Sequence, residues 1–148
     1  MNVSFEANFC KPLPSGRSHE LIACLAVAYR DTIGYLLEQN HPTSTWSICT
    51  GSQGIIGTHP VPAMTQGALF SMSIAAARDN ESTNVRFNEI FLCFRVEVDE
   101  VAAQNGTVKA TDFGKVYELL LDDPNVRSSR VQVETEADMS KLRYQKLF

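Results

Sequence analysis

The stretch that decides the fold runs from His59 to Asp79, HPVPAMTQGALFSMSIAAARD. It opens as a loop and becomes a helix, with Pro62 near the first turn, where a missing N–H costs nothing. The helix is crowded with small residues: Gly67, Ala68, Ser71, Ser73, Ala75, Ala76 and Ala77. Small side chains let another element approach the backbone closely. Before the loop, residues 43–52 (TSTWSICTGS) read as a strand, β-branched and aromatic, closed by Gly51. After the helix, residues 84–99 (NVRFNEIFLCFRVEVD) read as one long strand. The apolar run Ile90–Phe94 in its middle fits a strand covered on both faces. Strand, helix and strand at this spacing form a parallel βαβ unit.

Working outward, Ser18 suits an N-cap for a helix over residues 19–39 (HELIACLAVAYRDTIGYLLEQ), with Glu20 in the first turn. Its apolar stripe is Leu21, Leu25, Ala28, Tyr29, Ile33, Leu36 and Leu37. Ile22, Val27 and Tyr35 lie off that stripe, so burial on more than one side is expected. Asn40-His41-Pro42 ends the helix. Thr111 is placed to cap a third helix, DFGKVYELLLDD, which stops at Pro124, and RVQVETE is a last short strand. Ahead of the first helix, Val3–Phe9 reads as a possible strand and KPLPSGRS as a breaker. The fold class is α/β: one domain over residues 1–148, a small, mainly parallel sheet with flanking helices.

Composition narrows the functional classes. The net charge is −4, and phosphate binding needs a basic surface, so nucleic acid is not an expected partner. Arg127, Arg130, Lys141, Arg143 and Lys146 are interspersed with acids and read as a solvated face. No secretory start is visible, and no apolar run reaches the about 18 residues of a membrane span. A soluble, cytoplasmic protein with no membrane partner is expected. The cysteines form no Cys-x-x-Cys pair, and Cys24, Cys49 and Cys93 sit in apolar segments as small buried hydrophobes. The three histidines lack ligand spacing, so no metal is expected.

Several segments resemble the short-chain dehydrogenases/reductases (SDRs). WSICTGSQGIIGT (46–58) resembles the family's fifth strand and serine loop. TQGALFSMSIAAARD and NVRFNEI resemble its next helix and sixth strand, with Asn88 after the Arg-hydrophobic pair. TDFGKVYELLLDDPNVRSSRVQVE resembles its late helix and final strand, and residues 19–39 the helix before the fifth strand. The resemblance covers roughly residues 18–135 and implies a truncated Rossmann-like layer equivalent to the family's C-terminal half.

Two departures bear on function. No G-x-x-x-G-x-G occurs, and the cluster Gly51, Gly54 and Gly57 follows the wrong strand for a phosphate loop. The family's Tyr-x-x-x-Lys pair is also missing. Matching Asn88 puts Gln66 at the lysine and Pro62 at the tyrosine; a shifted register puts Met64 or Thr65 at the tyrosine and Ala68 or Leu69 at the lysine. Hydride transfer needs a bound nicotinamide and a proton donor of lowered pKa, and none of these side chains supplies one. No cofactor is expected.

At the C-terminal ends of the strands, where the old active site would lie, polar groups remain. Ser52 or Thr50 occupies the serine region. His59 is a candidate acid/base, an imidazole being the usual side chain for that role. Glu89 is a candidate base. Gln53, Met64, Gln66, Asn88 and Phe91 are candidate substrate contacts. Trp46, Phe70, Met72 and Phe94 would add apolar walls, or simply core. One reading is a cofactor-independent enzyme guiding isomerisation, cyclisation or dehydration of a small hydrophobic metabolite. It requires His59, Ser52 or Glu89 around an open pocket. The alternative is a non-catalytic, SDR-like pseudoenzyme or binding module, with that pocket filled and an apolar surface elsewhere. Both carry an expectation of a homodimer or larger. A bare edge on the first strand would invite aggregation, so Val3–Phe9 or another subunit must cover it.

Overall fold

The structure, a computed structural model, describes residues 18–148, with side chains from Leu21 onward. The helix after Ser18 is α1 (Ser18–Gln39), followed by β1 (Thr45–Gly51), a one-turn α2 (Gln53–Ile56) and α3 (Pro60–Asp79). Then come β2 (Arg86–Leu92), β3 (Val96–Glu97), α4 (Asp99–Asn105), β4 (Val108–Lys109) and α5 (Ala110–Asp122). The chain closes with β5 (Ser129–Val133), a 3-10 turn (Glu136–Met139) and β6 (Tyr144–Lys146). The main sheet has the order β1-β2-β5-β6, parallel except for β6. β1 is the outer strand among the described residues; Val3–Phe9, the segment expected to cover it, lies outside them.

Register divides the sheet into two faces. On one face Ile48 and Phe87 join Leu69, Ala76 and Ala77 of α3 and Leu25 of α1 in a core. The small residues of α3 let it lie close to the strands there. Tyr29, Trp46 and Phe87 lock that core: Trp46 stacks on Phe87 at 5.3 Å, and Tyr29 meets both rings edge-on. The other face is packed by α5, with Ile90, Val131 and Val133 against Phe113, Val116 and Leu120.

Several sequence expectations are corrected. The long strand over 84–99 breaks after Leu92. Its tail supplies β3, which pairs with β4 in a separate ladder, and Asp99 begins α4. The break is stabilised where Glu97 accepts hydrogen bonds from Thr107, Asn105 and Arg95. Those bonds, led by Thr107, hold its carboxyl below the usual range. Thr111 does not cap α5, which starts one residue earlier; it donates instead to Asp99. Cys24 is exposed rather than buried, because α1 buries only a narrow stripe around Leu25.

The basic residues near the end are not one solvated face. Arg127 donates to the carbonyls of Asn80 and Glu81 at the end of α3, and Arg130 turns inward. β6, absent from the sequence reading, is wholly exposed and held by backbone pairing to β5, so no alternating pattern announces it.

Arg86 is the largest fully buried side chain. Its Nη1 donates to the carbonyls of Leu120, Asp123 and Val126, and its Nη2 to that of Leu121. Those of Leu120, Leu121 and Asp123 end α5, where the helix dipole favours a cation, and that of Val126 lies in the loop that follows. Desolvation, then the nearby Arg127, push the guanidinium pKa down. Replacing Arg86 with Met should therefore take the guanidinium from the carbonyls of Leu120, Leu121 and Asp123, while Val126 O keeps Asn88, and lower unfolding free energy by about 3 kcal/mol. Urea denaturation followed by Trp46 fluorescence reads that loss; an unchanged midpoint contradicts the capping role.

Candidate functional site

The C-terminal ends of β1 and β2 carry the candidate residues. β1 ends at Gly51, and the chain turns at once into α2, with Ser52 at its N-cap and Gly57 closing it at φ 67°. The turn is tightly tied: Ser52 N donates to Leu92 O, Ile55 and Ile56 N to Ser52 O, and Gly57 N to Gln53 O. From α3, Gln66 Oε1 accepts from Gly51 N at 2.7 Å. A Cβ at Gly54 would stand 2.3 Å from Phe70 Cε2 and 2.9 Å from Gln66 Cβ. α2 therefore sits directly on α3, and Phe70 and Gln66 fill the space beneath it.

Glu89 and Thr50 meet, but inside the protein. Glu89 is fully buried; its Oε1 accepts from Thr50 Oγ1 at 2.6 Å and its Oε2 from Arg130 Nε at 2.9 Å. Register explains this: Glu89 and Arg130 are paired on one face, with Thr50 and Phe91 paired two residues further along it. Phe91 is buried beside Phe70. Asn88, on the opposite face, donates to Val126 O and accepts from Ser129 N.

His59, Gln53 and Met64 lie on the outside of this end. His59 is exposed and extended, and its Nδ1 shares a hydrogen bond with Thr58 Oγ1, which also donates to Gln53 Oε1. Met64 is 74% exposed. The structure thus joins Thr50 to Glu89, places Phe91 beside them, and holds Gln66 on Gly51. Among the described residues no hydrogen bond joins His59 to Ser52 or Glu89. The sequence reading missed Arg130 and Phe70. Arg130 is one residue from the buried run of β5, and its pairing partner is 41 positions away, so only register reveals it. A cleft elsewhere, between α5 and the C-terminal hairpin, is lined by Leu119, Asp122, Lys141, Leu142 and Tyr144.

A dinucleotide is the group the fold family implies, and these residues do not fit it. A pyrophosphate cradle needs free amides and glycines that leave room. Here the amides of Gly51, Ser52, Ile55, Ile56 and Gly57 are committed, and the space at Gly54 is occupied by Phe70. α3 carries neither tyrosine nor lysine.

Gly54 and Phe70 yield a direct test. Gly54→Ala should destabilise the chain by about 1–3 kcal/mol, as overpacking does. Adding Phe70→Ala should recover part of that loss, since the clash is with its ring. Additive effects of the two changes in thermal unfolding would show that α2 is not seated on Phe70.

No protein-family model matches the chain, and no solved structure matches it. Among curated proteins it is 43% identical over 150 residues to the short-chain dehydrogenase/reductase iacG of Pestalotiopsis fici, covering 98% of this chain and 53% of that protein. Over the matched region the chain corresponds to part of a short-chain dehydrogenase/reductase, and it spans about half the length of the curated relative it matches.

Proposed function

We propose that this chain acts as a non-catalytic, SDR-derived association module. The observation that carries this reading is the closed serine loop: Gly54 lies against Phe70 and Gln66, where a substrate pocket would open. Around it apolar side chains face outward. Ile55 and Ile56 of α2 are 65% and 57% exposed, and Val61, Met64 and Ile74 of α3 are exposed as well. On α1, Val27, Tyr35 and Leu37 are exposed. That much large apolar surface on neighbouring helices is characteristic of protein contact faces. The occupant in this reading is a second copy, giving a homodimer through α1 and α3.

The setting in this reading is cytoplasmic, where Cys24, Cys49 and Cys93 stay as thiols. Among the described residues no helix is long and apolar enough to cross a membrane.

A second reading draws on the Thr58–His59–Gln53 cluster. It presents an imidazole oriented by hydrogen bonding at the substrate end of the sheet. There the chain would be a cofactor-independent enzyme of isomerase, cyclase or dehydratase type, with His59 as the acid/base and a small hydrophobic metabolite as substrate.

Light scattering on the pure chain at micromolar concentration tests the module reading. A dimer is expected, and Val27→Glu with Ile74→Glu should convert it to a folded monomer. A wild-type monomer overturns it. Turnover of a small apolar carbonyl or alkene substrate, lost in His59→Asn, would favour the enzyme instead.

A further inference from the structure

Arg130 is held more firmly than a surface arginine needs to be. Its Nε donates to the buried Glu89, and its guanidinium carbon lies 4.6 Å from the Phe70 ring centroid and 5.2 Å from that of Phe91. Three anchors on two elements, Glu89 and Phe91 of β2 and Phe70 of α3, fix the plane of the fork. The two terminal nitrogens, Nη1 and Nη2, have no hydrogen-bond partner among the described residues. The side chain keeps 18% of its surface exposed. The Nη edge is therefore a fixed donor pair at the boundary between α3 and the outer strands.

Its surroundings are consistent with a recognition site. Register puts Gln145 of β6 opposite Arg130, and Gln132 lies two residues along β5, so both carboxamides share its face. Phe70 and, one helical turn later, the exposed Ile74 supply an apolar wall on α3. Glu89 already neutralises the guanidinium. The fork thus selects by geometry rather than by net charge, which favours a planar monoanion over a dianion.

We propose that Arg130, with Gln132 and Gln145, binds a carboxylate carried on an apolar body. The carboxylate takes the two parallel N–H donors of the fork, the carboxamides flank it, and the apolar body lies along Phe70 and Ile74. Phe70 borders both this site and the serine loop, and Ile74 also lies on the face proposed for self-association, so the carboxylate ligand and a second copy compete for Ile74.

Phenylacetate titrated into the full chain, followed by amide NMR shifts, tests it. Saturable shifts centred on Ile74, Arg130, Gln132 and Gln145 are expected, with none from phenylacetamide, which has the same body without the charge. Arg130→Lys keeps a cation beside Glu89 but loses the fork, and should weaken binding about tenfold. Gln145→Ala, on an exposed strand, should weaken it severalfold without touching the core. No saturable response, equal binding of phenylacetamide, or equally tight binding of inorganic phosphate at the same residues would overturn the site. So would undiminished affinity in a folded Arg130→Lys; if that variant does not fold, the Gln145→Ala and phenylacetamide comparisons decide alone.

Discussion

β2 is buried on both faces and yet carries three polar side chains, Arg86, Asn88 and Glu89, each with almost no exposed surface. A buried polar group without a partner costs more than a hydrogen bond returns, so each of these must be met. Arg86 is met at its two terminal nitrogens by carbonyls at and just after the end of α5, its Nε alone lacking a partner among the described residues; Asn88 is met by the chain entering β5, and Glu89 by Thr50 of β1 and Arg130 of β5. These bonds run to α5, β5 and β1. The apolar contacts supply most of the cohesion, but the three polar contacts fix which element lies where. They also set register, since a one-residue slip of β2 would turn Glu89 toward the apolar face under α5.

The same constraint shapes the end of the sheet where chemistry would be expected. Glu89, the carboxylate under this end of the sheet among the described residues, is taken up by Thr50 and Arg130. Gln66 Oε1 takes the Gly51 amide and holds the loop on α3. Phe70 then occupies the volume under Gly54 and, on its other side, supports the guanidinium of Arg130. One aromatic ring thereby packs under the loop and braces Arg130. The closed loop places its apolar side chains, Ile55 and Ile56, outside.

Much of the layer was legible in the residues. The small-residue helix, the β-branched strand before it and the apolar run after it led to a parallel βαβ unit, and the α/β class with a mainly parallel sheet follows from their spacing. The likeness of WSICTGSQGIIGT and NVRFNEI to one family pointed to the relative that the chain matches. What escaped were elements without a period: α2 is a single turn, β3 and β4 have two residues each, and β6 is exposed throughout. Such pieces are held by backbone bonds and neighbours, and neither leaves an amphipathic signature in the chain.

The sequence by itself determined the layer, because periodicity and residue type are local properties. It named Thr50, Glu89 and Phe91 without revealing that they are joined inside the protein. It treated Arg130 as a solvated charge. Only the tertiary structure decided those matters, because whether a carboxylate is a base or a buried ion-pair partner depends on which strand lies beside it. Glu89 and Arg130 are 41 residues apart in the chain and adjacent in the sheet, and no local pattern encodes that adjacency.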